Sequence, residues 1–123
     1  MVSSNGYTDY LTMLRRQDQY VLRVSGDMDL DHVARLRTSL MTALSEAPEG
    51  WDLVVDLQNS SFCDSTGLNA LLAAREQAWS LGHRVLLAAP SHQMIRLLQL
   101  TGSADLFPLS PGVADHRQTE QPE

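Results

Sequence analysis

Along this chain, short apolar runs alternate with stretches whose apolar positions recur every three or four residues. Residues 10–15 and 20–24 (Tyr20-Val21-Leu22-Arg23-Val24) are rich in β-formers and read as strands. The polar residues 16–19 make a turn between them, so a hairpin is expected although the strong Asn-Gly signal is missing. After the loop Gly26-Asp27-Met28-Asp29, residues Val33, Leu36, Leu40 and Leu44 fall on one helical face, and Pro48-Glu49-Gly50 stops that helix. Residues 52–57 carry a nearly continuous apolar centre, the signature of a central strand covered on both faces. A helix follows over 66–81, with Leu68, Leu71, Leu72, Ala78 and Trp79 as its inward side and Gly82 placed to close it. Residues 84–89 read as another covered strand. Pro90-Ser91 leads into a short helix carrying Met94, Ile95, Leu97 and Leu98, which Thr101-Gly102 ends. Residues 106–109 are expected as a last edge strand, where Pro108 is tolerated.

Such short alternating units imply an α/β fold, a mixed β-sheet covered by α-helices, with right-handed crossovers between its parallel strands. Val54, Leu57, Leu72, Leu86 and Leu98 are its expected core. Function in such folds gathers at the carboxyl ends of central strands. Both the 27–29 loop and the Asp64-Ser65-Thr66 segment should lie there. The folded domain is expected over 10–109, preceded by a loose lead-in at 1–9. The 110–123 tail is acidic and proline-containing with almost nothing to bury, so it is expected to be mobile.

Composition narrows the function. The chain has 123 residues, 43% apolar and 20% charged, which suits one soluble core and is too little for two ordinary domains. Its formal net charge of −6 and the absence of a basic stripe speak against direct nucleic-acid binding. No apolar run is long enough for a membrane span, and no signal-peptide pattern opens the chain. The single cysteine, Cys63, has no internal disulfide partner, so a cytoplasmic setting is expected.

Ser65 is the residue with most chemical promise, an exposed hydroxyl expected where a strand stops and a helix starts. Two readings stay open at this level. Ser65 or Thr66 caps the helix, with Gly67 easing the turn. Alternatively Ser65 accepts a phosphoryl group, whose charge the helix N-terminus tolerates. Asp27, Asp29 and Asp31 alternate like a calcium loop but fail its pattern, since His32 stands where glycine is needed and Thr38 where glutamate is needed. Asp29 is placed to approach Ser65 across the sheet edge. No nucleophile elbow surrounds Ser65, Cys63 has no assigned base, and the histidines are scattered, so neither a catalytic residue nor a metal or other cofactor is expected. Trp51 and Trp79 are expected in core or boundary packing.

Over residues 10–109 the chain resembles the STAS domain family, and within it the single-domain anti-sigma factor antagonists. Gly26-Asp27-Met28-Asp29 is similar to the family's Gly-Glu-Leu-Asp loop, with the shorter Asp27 for its glutamate. Phe62-Cys63-Asp64-Ser65-Thr66-Gly67-Leu68 is similar to its Phe-Met-Asp-Ser-Ser/Thr-Gly-Leu segment, and residues 95–107 resemble the family's ending. The resemblance implies a partner switch. An unphosphorylated antagonist binds an anti-sigma factor, a serine kinase with a GHKL-type ATP-binding fold, and so frees a sigma factor. Phosphorylation of the serine matching Ser65 breaks the complex, and a PP2C-type phosphatase restores it. Asp27, Asp29, Asp64, Ser65, Thr66, Gly67 and Asn69 would form the partner-binding face. The C-terminal helix of many relatives is hard to find beyond Leu109, where Pro111-Gly112 interrupts the chain. The alternative is a phosphorylation-independent interaction module in a larger regulatory or transport complex.

Overall fold

The computed structural model describes residues 9–111. Four strands and three helices alternate: β1 (Leu11–Arg16), β2 (Gln19–Val24), α1 (Val33–Glu46), β3 (Asp52–Asp56), α2 (Ser65–Leu81), β4 (Val85–Ala88) and α3 (His92–Leu100), followed by a 3₁₀ turn at Ala104–Leu106. The sheet is mixed, in the order β1-β2-β3-β4. β1 and β2 form the expected hairpin, and Gln17 adopts φ 49° to make its tight turn without glycine. β2 runs parallel to β3, and β3 to β4. That parallel pairing sends the chain out of β2 and β3 at the same edge of the sheet.

Both faces of β3 are buried, as its apolar run predicts, with Leu53, Val54 and Val55 all at 0% exposure. Leu22, Val24, Leu53, Val55 and Leu87 meet Leu36, Leu40 and Leu44 of α1, Leu68 and Leu71 of α2, and Met94 and Leu98 of α3 in the main core. Val21, Val54, Leu86 and Ala88 form a smaller buried group on the opposite face. Beside that group the wholly buried carboxylate of Asp56 accepts from Arg23 Nε at 2.8 Å.

Three expectations need correction. Trp79 is 80% exposed and Leu72 only half-buried. The inward stripe of α2 is Gly67, Ala70, Leu71, Ala74 and Ala78 with Leu68. Leu72 and Trp79 each follow a stripe residue by one position, about 100° around the helix, so neither can share its direction. Residues 106–109 make no strand. Pro108 has no N–H to give; its carbonyl, accepting from Leu87 N at 3.0 Å, and Ser110 N, donating to Leu87 O at 2.8 Å, tie this segment to β4. The pairing shrinks to a single parallel bridge, Leu109 to Leu87. The lead-in apart from Asp9, and the tail beyond Pro111 with any C-terminal helix, lie outside the described residues.

Candidate functional site

The two segments singled out in sequence come together at the carboxyl edge of the sheet. Met28 N donates to Phe62 O at 2.9 Å and Asp64 N donates to Met28 O at 3.0 Å, making an isolated parallel bridge between Met28 and Cys63. Met28 and Cys63 fill the space beneath, at 1% and 0% exposure. Tyr10 clamps the loop from below, its buried hydroxyl donating to Asp27 O at 2.6 Å. Burial, and next the charge of Asp29, push the Tyr10 phenol up to about 12, so it stays a donor throughout the physiological range. From the other side, Gln93 at the start of α3 donates to Cys63 O and accepts from Cys63 N, both at 2.8 Å. Cys63 is inert there. Burial pushes its thiol up to about 12, far from the thiolate that a nucleophile requires.

Asp64 is the helix cap, which settles the cap question against Ser65 and Thr66. The Asp64 carboxylate accepts from Gly67 N at 3.0 Å and from the Thr66 hydroxyl. The Thr66 bond, joined by backbone donors of Gly67, Thr66 and Leu30, holds this carboxyl below the usual carboxylate range. Thr66 and Gly67 are therefore part of the helix start itself. Gly67 is buried, and a Cβ built on it would lie 2.2 Å from Met28 O. Only glycine lets α2 approach the loop this closely.

Ser65 is thereby released from structural duty. It occupies the first helical position, is exposed, and its hydroxyl has no hydrogen-bond partner among the described residues. Asn69, one turn further along α2, is exposed on the same helix. Asp27 and Asp29 are half-buried in the loop, but Asp29 does not bond Ser65. Its Oδ1 lies 2.6 Å from His32 Nδ1, and the His32 ring stacks on Tyr10 at 4.5 Å. A carboxylate can only accept, so Nδ1 carries the proton in this contact. Sequence reasoning missed this support because His32 is three positions from Asp29, a spacing that only an emerging helical turn makes meaningful. It also missed two exposed apolar side chains in the same two segments, Leu30 at 69% and Phe62 at 41%. The signal was present: each is an apolar residue adjacent to a motif that faces solvent.

Because the Asp64 pKa is depressed in the folded chain, its contribution at the helix start is full above the ordinary carboxylate range. It is lost as pH falls through the lower folded value. Asp64→Ala should cost about 1 kcal/mol near neutral pH, as losses of a helix cap do. Urea denaturation should show the gap between wild type and variant closing under strongly acid conditions. A constant gap across that range would remove Asp64 from the capping role.

Among the described residues no group of three or more His, Cys, Asp or Glu side chains could hold a metal ion, and no helix is long and apolar enough to cross a membrane. The sequence matches the family model described as "Mlab, STAS domain" over residues 12–109. The anti-sigma-B factor antagonist of Bacillus subtilis (strain 168) is 27% identical over 96 residues, covering 78% of this chain and 85% of that protein. A crystal structure of an anti-sigma factor antagonist from Mycobacterium paratuberculosis superposes with a TM-score of 0.69 at 27% identity, covering 89% of this chain and 91% of that one. The unphosphorylated form of the anti-sigma factor antagonist SpoIIAA superposes with a TM-score of 0.70 at 19% identity, covering 92% and 99%.

Proposed function

This chain belongs to the STAS domain family, and from that premise we propose that it is an anti-sigma factor antagonist switched by phosphorylation of Ser65. In its unmodified form it binds an anti-sigma factor, a serine kinase with a GHKL-type ATP-binding fold, and so frees a sigma factor. The kinase transfers a phosphoryl group to the Ser65 hydroxyl and the complex separates; a PP2C-type phosphatase resets it. One observation carries the reading: Ser65 is exposed, without a hydrogen-bond partner among the described residues and redundant for helix capping, on a helix start tied to its neighbours. The relatives' character as anti-sigma factor antagonists supports it.

The position of Asp64 supplies a physical cause for release. A helix N-terminus ordinarily welcomes an anion through its free amide groups. Here the Asp64 carboxylate already engages Gly67 N, and its direction of titration reflects donors on Thr66 and Leu30 as well. A phosphoserine at 65 would place about two further negative charges beside a carboxylate that holds those donors. That charge must be desolvated whenever a partner covers the surface. A loss of about 2–3 kcal/mol corresponds to roughly 30- to 150-fold weaker binding.

Incubation with the kinase and Mg-ATP followed by mass mapping should place one phosphate on Ser65 and lower affinity by that factor. Ser65→Ala should prevent modification, keep partner binding, and change stability by less than about 0.5 kcal/mol, as a surface residue outside the cap. Phosphate found only at another residue would sink the assignment. Tight partner binding by a chain that is never phosphorylated would favour the phosphorylation-independent module instead.

A further inference from the structure

Resting on the reading of Ser65 as acceptor, we propose that Leu30 and Phe62 form the apolar centre of the kinase's footprint on this chain, and that Trp79 lies outside it. The described surface carries several large exposed apolar side chains, among them Leu30, Phe62, Leu81 and Trp79, the last the most exposed. Exposure alone would make Trp79 the natural docking anchor. Distance decides against it. A standard interface buries about 800 Å² on each partner, a disc of roughly 16 Å radius. An enzyme acting on the Ser65 hydroxyl brings its active site to that atom, and a contact of standard size centred there extends about that radius. Ser65 and Trp79 stand at opposite ends of α2, separated by a helical rise of about 21 Å.

Leu30 and Phe62 meet the distance test by construction. Phe62 is three residues before Ser65, and its carbonyl is bonded to Met28 N at 2.9 Å. Leu30 follows Asp29 on the joined loop, and its backbone N–H supports the Asp64 carboxylate. The two apolar side chains therefore belong to segments that meet beside the acceptor, with Asp27, Asp29 and Asp64 among them. Around them lie the carboxylates of Asp27, Asp29 and Asp64, with Arg35 over the Tyr10 ring at 5.3 Å as a neighbouring cation. Burying Leu30 and Phe62 adds binding strength that survives high salt, while the acidic groups leave the surface poised for repulsion once phosphate is added. A few side chains near the centre of a contact carry most of its affinity, and central position is what Leu30 and Phe62 share.

The host's ATP-binding serine-kinase anti-sigma factors, purified and supplied with Mg-ATP, provide the test. Titration calorimetry should show Leu30→Ala and Phe62→Ala each weakening the unphosphorylated complex at least tenfold, with little change between low and high salt. The loss in Ser65 phosphorylation should fall on KM rather than kcat. Phe62→Leu should recover most of it, and Trp79→Ala should stay within twofold of wild type. Circular dichroism should find all four variants folded, since each changed side chain faces solvent. If wild type is bound and phosphorylated but both alanine variants bind within twofold of it, the footprint is wrong and the Ser65 reading stands. A Trp79→Ala loss of tenfold or more would also overturn the footprint. A wild-type chain neither bound nor phosphorylated by any of these kinases would instead defeat the underlying reading.

Discussion

Gly67→Ala is expected to destabilise the domain by about 3–5 kcal/mol although it removes no side chain from the proposed partner face. The new methyl would sit 2.2 Å from Met28 O and 2.8 Å from Met28 C and Cβ, so its main obstacle is backbone that no rotamer change can clear. Relief requires the 27–29 loop and the start of α2 to part. That movement breaks Met28 N to Phe62 O and Asp64 N to Met28 O, two bonds around a residue only 1% exposed. Each buried group left unpaired costs about 1–3 kcal/mol, and overpacking adds about as much. Alanine's better helix propensity returns at most about 1 kcal/mol. Urea denaturation should record the loss, and amide exchange should accelerate first at Met28 and Asp64. Unchanged stability with both amides still protected would show that α2 does not depend on this close approach.

Val54→Asp is expected to remove most of the domain's stability. Val54 is 0% exposed, with Val21, Leu86 and Ala88 around it on the smaller buried face. Two residues along the same strand, and so on the same face, lies Asp56, also at 0% exposure and already held by Arg23. A second carboxylate at 54 would be buried beside a like charge whose counter-ion is committed. The penalty is about 3–5 kcal/mol or more, against a total of about 5–15 kcal/mol for ordinary domains. Thermal and urea transitions should collapse toward ambient conditions, whereas Val54→Ala, which leaves only a cavity, should cost about 2–3 kcal/mol. A Val54→Asp variant melting like wild type would mean that β3 is not the buried central strand.

How much of this was legible in the sequence follows from the range of the interactions involved. The strands and helices announced themselves because their apolar periods are local, and the ends of α2 and α3 because Gly82 and Ser91 act within a turn of their own positions. The edge shared by the 27–29 loop and Ser65 followed from strand order alone. The failures come from angle and competition. Ala78 and Trp79 both look apolar in one dimension, yet one is 1% exposed and the other 80%. Three adjacent residues, Asp64, Ser65 and Thr66, can each cap a helix, and only the observed backbone shows that Asp64 takes the part. The pairing of Asp29 with His32 depends on a side-chain direction that residue type does not encode.

The bridge between Met28 and Cys63 bears on the speed of the proposed switch. Because Ser65 stands on a frame already tied to the 27–29 loop, to Tyr10 and to Gln93, adding or removing a phosphoryl group requires no segment to fold or unfold. Signalling proteins that order a loop on phosphorylation wait for that rearrangement, commonly microseconds to seconds. In this chain the waiting time would be set only by the modifying enzymes and by partner dissociation. The amount of active antagonist would then change on the timescale of those enzymes, with no loop-ordering step in series.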